Sequence, residues 1–245
     1  MKKLLIISVF VLFPIFANAS SEGHLDKVDI DLNNKESLQA GAKIFINYCL
    51  SCHSASYMRY NRMAVDLNMS PELVEKNLMF ASDKIGSTMD VAMSEDDAKN
   101  WFGTKIPDLT VIARSRSPDW LYTYFRTFYI DESRPFGVNN AVFKDVGMPH
   151  VLWDLEGTKA AVFEEKEADD GSIVKEIVGY KELTKGSRSK VEYDNDIKNL
   201  VAFLDYMGEP VKTKRKSLGV WVLFYLFILL VVSYAMKKEF WKDVH

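Results

Sequence analysis

Cys49 and Cys52 stand three residues apart, and His53 follows at once, giving the run Cys49-Leu50-Ser51-Cys52-His53. Two thiols at that spacing can each add to a vinyl group of one porphyrin, and the adjacent imidazole can then reach the iron from one face. The pattern is the C-x-x-C-H form of c-type haem attachment. These are the only two cysteines among 245 residues, so a disulfide framework is excluded.

Three other chemistries fit parts of the run. A thioredoxin-like dithiol needs a βαβ pattern around its C-x-x-C, and here a helical pattern precedes it. A structural zinc site needs four ligands, while the remaining histidines are His24, His150 and His245. A Cys49–Cys52 disulfide leaves His53 without a role. A covalently attached haem c accounts for all three residues.

A second axial ligand has to come from elsewhere, and Met148-Pro149-His150 offers two candidates. Met148 lies in a loop between Gly147 and Pro149, where a thioether can be held toward the iron; His150 is the alternative. Methionine ligation would raise the potential relative to two imidazoles. A six-coordinate iron favours outer-sphere transfer of single electrons. Buried propionates need basic partners, and Arg114, Arg116 and Arg126 are the candidates.

The elements that must position these residues follow from periodicity. Leu38, Ala42, Phe45 and Cys49 recur at helical spacing, predicting an amphipathic helix over Ser37 to Tyr48 that delivers the chain into the cysteine motif. Ile197, Leu200, Val201, Leu204 and Met207 form a second stripe, stopped by Gly208 and Pro210. The two helices are expected to pack together and close a small helical domain. Ser94 to Asp97 has the form of a capping box, and Ser117-Pro118-Asp119 that of a helix start. Val162 to Tyr180, around Asp169-Asp170-Gly171, predicts a β-hairpin outside the helical core.

Both ends of the chain are apolar. Residues 1–19 carry Lys2 and Lys3, an apolar run from Leu4 to Phe16, and Ala17-Asn18-Ala19, the pattern of a signal peptide; export to an oxidising compartment is expected. Leu218 to Ala235 holds no charged residue, and 18 helical residues extend ~27 Å, close to a hydrocarbon core of ~30 Å. Trp221, Tyr225, Tyr234 and Trp241 lie where interfacial aromatics anchor such a span. The expected organisation is a signal peptide at 1–19, an exported haem domain at 20–211, a basic juxtamembrane linker at 212–217, a transmembrane anchor at 218–236 and a cytoplasmic tail at 237–245. Lysine and arginine flank the span on both sides, and the signal peptide decides the orientation.

Residues 20–211 hold 22 Lys+Arg against 32 Asp+Glu, a net charge of −10. That sign repels nucleic acid and suits a basic partner.

The chain resembles the cytochrome c1 family, of proteobacterial type, over most of its length. The residues that carry the likeness are Asn47-Tyr48-Cys49-Leu50-Ser51-Cys52-His53-Ser54, Ile106-Pro107-Asp108-Leu109-Thr110 with Ile112-Ala113-Arg114-Ser115-Arg116, Gly147-Met148-Pro149-His150-Val151-Leu152-Trp153, and Tyr206-Met207-Gly208-Glu209-Pro210 before a terminal span. The resemblance implies a mainly α, class I cytochrome c-like haem domain with loop and hairpin insertions, plus one C-terminal transmembrane helix. It also implies His53 and Met148 as axial ligands, Arg114 near a propionate, and Pro107 and Leu109 in the haem pocket. The implied role is electron transfer, with no catalysis by this subunit alone, from the Rieske iron-sulfur protein to a cytochrome c, beside cytochrome b. The implied location is a bacterial inner membrane, with the haem domain on the periplasmic side. A membrane-anchored subunit of a terminal oxidase, a haem c peroxidase and a haem-free thiol-disulfide oxidoreductase are the competing readings.

Overall fold

The computed structural model describes residues 25–167 and 173–243. The signal-peptide pattern and the Asp169-Asp170-Gly171 turn lie outside the described residues.

Helix α1 spans Lys35–Ile44. Asn34 caps it, its side-chain oxygen accepting from the Ser37 backbone N–H at 3.1 Å. Leu38 and Ala42 are fully buried. From Phe45 the ladder lengthens, and Phe45–Cys49 forms one π-helical turn in which the Leu50 N–H reaches the Phe45 carbonyl at 3.0 Å. The expected single helix to Tyr48 is therefore an α-helix followed by a wider turn. Such turns shift the register of the side chains beyond them, here at the first cysteine.

The second stripe forms helix α8, Lys190–Gly208. A capping box closes its start, with Ser189 and Glu192 bonded reciprocally. Ile197, Leu200, Val201, Leu204 and Met207 are all buried. Helices α1 and α8 pack against each other, as expected for the two ends of the helical core. The crossing is close: a Cβ on Gly41 would stand 2.0 Å from the Asn199 carbonyl oxygen and 2.7 Å from Phe203 Cβ. Ser37 Oγ donates to Asn199 Oδ1 at 2.6 Å beside that crossing.

Between them run short elements: β1 (Ala55–Arg59), α2 (Tyr60–Asp66), α3 (Pro71–Leu78), β2 (Thr88–Met89), α4 (Glu95–Phe102), α5 (Ile112–Arg116), α6 (Pro118–Phe125), β3 (Phe128–Ile130), β4 (Val138–Asn140) and α7 (Trp153–Glu156). Ser94 caps α4 by accepting from the Asp97 N–H at 3.1 Å. Ser117 does the same for α6, accepting from the Trp120 N–H at 3.3 Å, with Pro118 at the first helical position. Strands β1 and β2 pair antiparallel, as do β3 and β4. Neither small ladder carries an alternation long enough to be read from sequence.

The hairpin is longer than expected. Strand β5 covers Gly157–Glu167 and β6 covers Ile173–Lys185, with register shifts at Thr158/Lys159 and Val162/Phe163. Its base packs on β3, with the Tyr129 and Phe163 rings 6.0 Å apart, while the distal side chains are exposed.

Helix α9, Lys212–Phe240, follows α8 after three residues. Residues 212–217, expected as a linker, are its first turns. Among the described residues it is the one helix long and apolar enough to cross a membrane, and none of its residues is buried against the rest of the chain.

Candidate functional site

The π-helical turn carries Cys49 to the wall of a cleft of about 360 Å³, where Cys52 and His53 join it. The backbone keeps turning through the motif, since the Cys52 and His53 N–H groups both reach the Cys49 carbonyl, the latter at 2.8 Å. Cys49 is buried and Cys52 partly exposed. Burial, with Cys52 adding to it, pushes the Cys49 thiol up to about 12. Thiol–disulfide exchange needs a thiolate, which burial disfavours at Cys49.

His53 Nδ1 lies 2.8 Å from the Pro107 carbonyl oxygen. A carbonyl can only accept, so Nδ1 carries the proton and Nε2 keeps its lone pair. Burial lowers the pKa of His53, against the opposing pull of the Pro107 carbonyl and Asp108, which favours this neutral form. Fixing one ring nitrogen to orient the other is how proteins prepare a metal-binding imidazole.

The Pro107 loop is itself latched to the segment after the motif. The Leu109 N–H donates to the Ser54 carbonyl at 2.8 Å, and Asp108 accepts from the Ser56 and Thr110 N–H groups, each at 2.8 Å. Burial would raise the Asp108 pKa, but these hydrogen bonds outweigh it and hold the carboxyl below its ordinary value. Pro107 and Leu109 both line the cleft.

Met148 lines the same cleft, and Tyr124 Oη donates to its Sδ at 3.4 Å. Burial raises the Tyr124 pKa, so the phenol stays protonated and able to donate. Tyr124 stacks on Trp120, ring centres 4.9 Å apart, and the two rings with Leu121, Phe125 and Leu204 make the cleft predominantly apolar. The aromatic face of α6 thus serves core and cleft together.

His150, the other ligand candidate, is turned elsewhere. Its ring is absent from the cleft lining and stacks on Phe128 at 4.9 Å, beside Glu156. The three arginines also separate. Arg116 lines the cleft, its guanidinium 5.1 Å from the Trp120 ring centre and 5.8 Å from that of Phe143. Arg114 is exposed, with Gly208 beside its side chain. Arg126 is taken up by Asp194 at 2.5 Å and Asp26 at 2.6 Å. Sequence reasoning did not find the Tyr124 hydroxyl or the Asp108 latch; Asp108-Leu109-Thr110, a carboxylate two residues before a backbone donor, was the local signal for the latter.

Two thiols, an imidazole with Nε2 free and a thioether around one apolar cleft form a donor set that fits haem c.

A model of the Cytochrome C1 family matches residues 24–244. Cytochrome c1 of Allochromatium vinosum is 46% identical over 246 aligned residues that cover 100% of both chains. The ammonia monooxygenase gamma subunit of Nitrosomonas europaea is 43% identical, covering 100% of this chain and 99% of that one. Among solved structures, a chain of a hyperthermophilic respiratory Complex III aligns with a TM-score of 0.44 at 14% identity, covering 100% of this chain and 98% of that one.

Proposed function

This chain belongs to the cytochrome c1 family, and on that premise we propose that it is the electron-transfer subunit of a quinol–cytochrome c reductase. It takes single electrons from the Rieske iron-sulfur protein and passes them to a cytochrome c, while quinol oxidation belongs to cytochrome b and the Rieske protein. The observation that carries the proposal is the pairing of two prepared ligands in one apolar cleft: His53 oriented by the Pro107 carbonyl, and Met148 oriented by the Tyr124 hydroxyl.

Family membership implies haem c, which supplies reversible one-electron chemistry when bound. In this proposal one haem would be held, through thioethers from Cys49 and Cys52, in a class I cytochrome c-like domain. His53 Nε2 and Met148 Sδ would be the side-chain atoms that hold its iron. Pro107 and Leu109 would border it, and Arg116, which fronts the cleft, would neutralise a propionate; Arg114, expected there from the resemblance, would add positive charge from outside the lining. With both donors engaged, the chemistry such a group would supply is electron transfer, without the free site that a peroxidase needs.

Residues 20–211 form the exported domain, and α9 anchors it by a single pass, with the segment after the span in the cytoplasm. The signal-peptide pattern at 1–19 supports that orientation, and the net acidic domain suits a basic acceptor.

The test is the oxidised absorption spectrum of the purified, haem-loaded chain. A weak far-red sulfur-to-iron band that disappears in Met148→His supports the assignment, and its absence from the wild-type chain refutes Met148 as ligand. The name of the Nitrosomonas relative points to a different assembly, so co-purification separates the two: cytochrome b and a Rieske protein support the reductase, and an ammonia-oxidising complex overturns it.

A further inference from the structure

Met148 and His150 sit two residues apart on one loop, and both side chains can ligate iron. An extended chain advances only ~3.3 to 3.6 Å per residue, so a slip of about 7 Å along the loop would exchange one for the other. Imidazole in place of thioether would lower the potential. Something must therefore hold the loop in the register that presents Met148.

The structure contains such a holder. The His150 ring is wedged against Phe128, the two planes 9° from parallel. Its Nε2 lies 2.9 Å from Glu156 Oε2, a close approach without the alignment of a hydrogen bond, and both atoms are buried with no hydrogen-bond partner elsewhere to draw them apart. The other Glu156 oxygen takes Lys159 Nζ, which also donates to the Arg126 carbonyl at 2.7 Å. All three side chains are largely removed from water, at 8%, 15% and 16% exposure for His150, Glu156 and Lys159. A carboxylate placed this deep between a lysine and a histidine has no solvent to replace a lost partner, which makes its geometry stringent. The far side of the wedge returns to the cleft: Phe128 meets Tyr124 edge to face at 5.0 Å, and Tyr124 donates to Met148 Sδ.

We infer that Glu156 is a positioning residue that keeps His150 out of the cleft and thereby fixes Met148 in it, so that one contact selects thioether over imidazole. The inference rests on the assignment of Met148 as axial ligand. Glu156 does not line the cleft and acts only through His150.

The experiment uses the full-length, haem-loaded chain in detergent, read by the far-red band and by redox titration. Glu156→Ala frees the imidazole, and the expected result is loss of most of the band with a downward shift of the potential. Glu156→Gln keeps an acceptor in place and should retain most of the band. The double variant Glu156→Ala/His150→Phe keeps a ring against Phe128 but cannot ligate, and should regain the band. Wild-type band and potential in Glu156→Ala would overturn the inference, as would equal loss in the single and double variants. Should Glu156→Ala not fold, His150→Phe decides in urea: the band should vanish at a lower urea concentration than helicity does. Coincident loss of both at the wild-type midpoint would overturn the inference. A wild-type chain without the band would sink the ligand assignment and this inference together, whereas a normal wild type with unaffected variants sinks the inference alone.

Discussion

Replacing Gly41 by alanine tests whether the crossing of α1 and α8 sets the stability of the haem domain. The added Cβ would stand 2.0 Å from the Asn199 carbonyl oxygen, where ordinary contact begins near 3.4 Å. Restoring that contact asks the helices to part by about 1.4 Å, and a gap of ~0.5 to 1 Å already forfeits a quarter to a half of each dispersion well along the seam. Overpacking of this kind costs about 1 to 3 kcal/mol, and a backbone-to-Cβ overlap this deep belongs at the upper end. Alanine returns about 1 kcal/mol of helix propensity. The net expectation is about 2 kcal/mol of destabilisation, or a fall of roughly 4 to 8 °C in Tm for a domain of this size. Thermal melting followed by circular dichroism at fixed detergent and haem loading measures it. The variant should also load less haem, because α1 leads directly into the turn that places Cys49, and Leu204 on α8 is part of the cleft wall. An unchanged or raised Tm would refute the reasoning, since it would mean that the helices separate freely and propensity alone decides.

Three further outcomes are expected. Tyr124→Phe removes the hydroxyl dipole whose positive end points at Met148 Sδ, so the reduced state loses stabilisation and redox titration should show a lower potential with the fold intact. Asp108 has its pKa depressed in the folded chain, so its contribution to stability is complete above the ordinary carboxyl value of 3.8 and is lost as pH falls through the lower folded value; thermal melts across that acid range should be flatter for Asp108→Asn than for wild type. Electron transfer from the haem-loaded assembly to a basic cytochrome c should slow as ionic strength rises from ~0.01 M to ~0.15 M, over which the Debye length shrinks from ~30 to ~8 Å; a rate independent of salt would remove electrostatics from the docking step.

The cysteine motif, the two long amphipathic stripes, the serine caps and the apolar terminal helix were legible because each is a local pattern. Their periodicity or spacing is complete within a few turns of chain. What was not legible depends on partners distant in sequence. The Pro107 carbonyl that orients His53 lies 54 residues away, and nothing near Cys49 names it. Arg114 and Arg116 are indistinguishable as residue types, and only the path of α5 into Ser117 decides which one fronts the cleft. The π-helical turn at Phe45 keeps the helical apolar spacing in sequence while changing the hydrogen-bond ladder. His150 looked like a ligand because its chemistry permits it, and only tertiary packing against Phe128 and Glu156 shows it engaged elsewhere.

The short passage from α8 to α9 has a mechanical consequence. Three residues separate the helices, and both flanks are braced: Lys212 Nζ reaches the two carboxylate oxygens of buried Asp205 at 2.9 and 2.7 Å, and Arg215 holds Glu209. Three residues extend at most ~11 Å, which leaves little slack for a swinging tether. The cleft is therefore mounted like an instrument on a short stiff post, since α8, which forms part of its wall through Leu204, runs with little slack into α9. In a relay of electrons, such a mount would suit a stationary contact, because the cleft has little freedom to swing relative to α9.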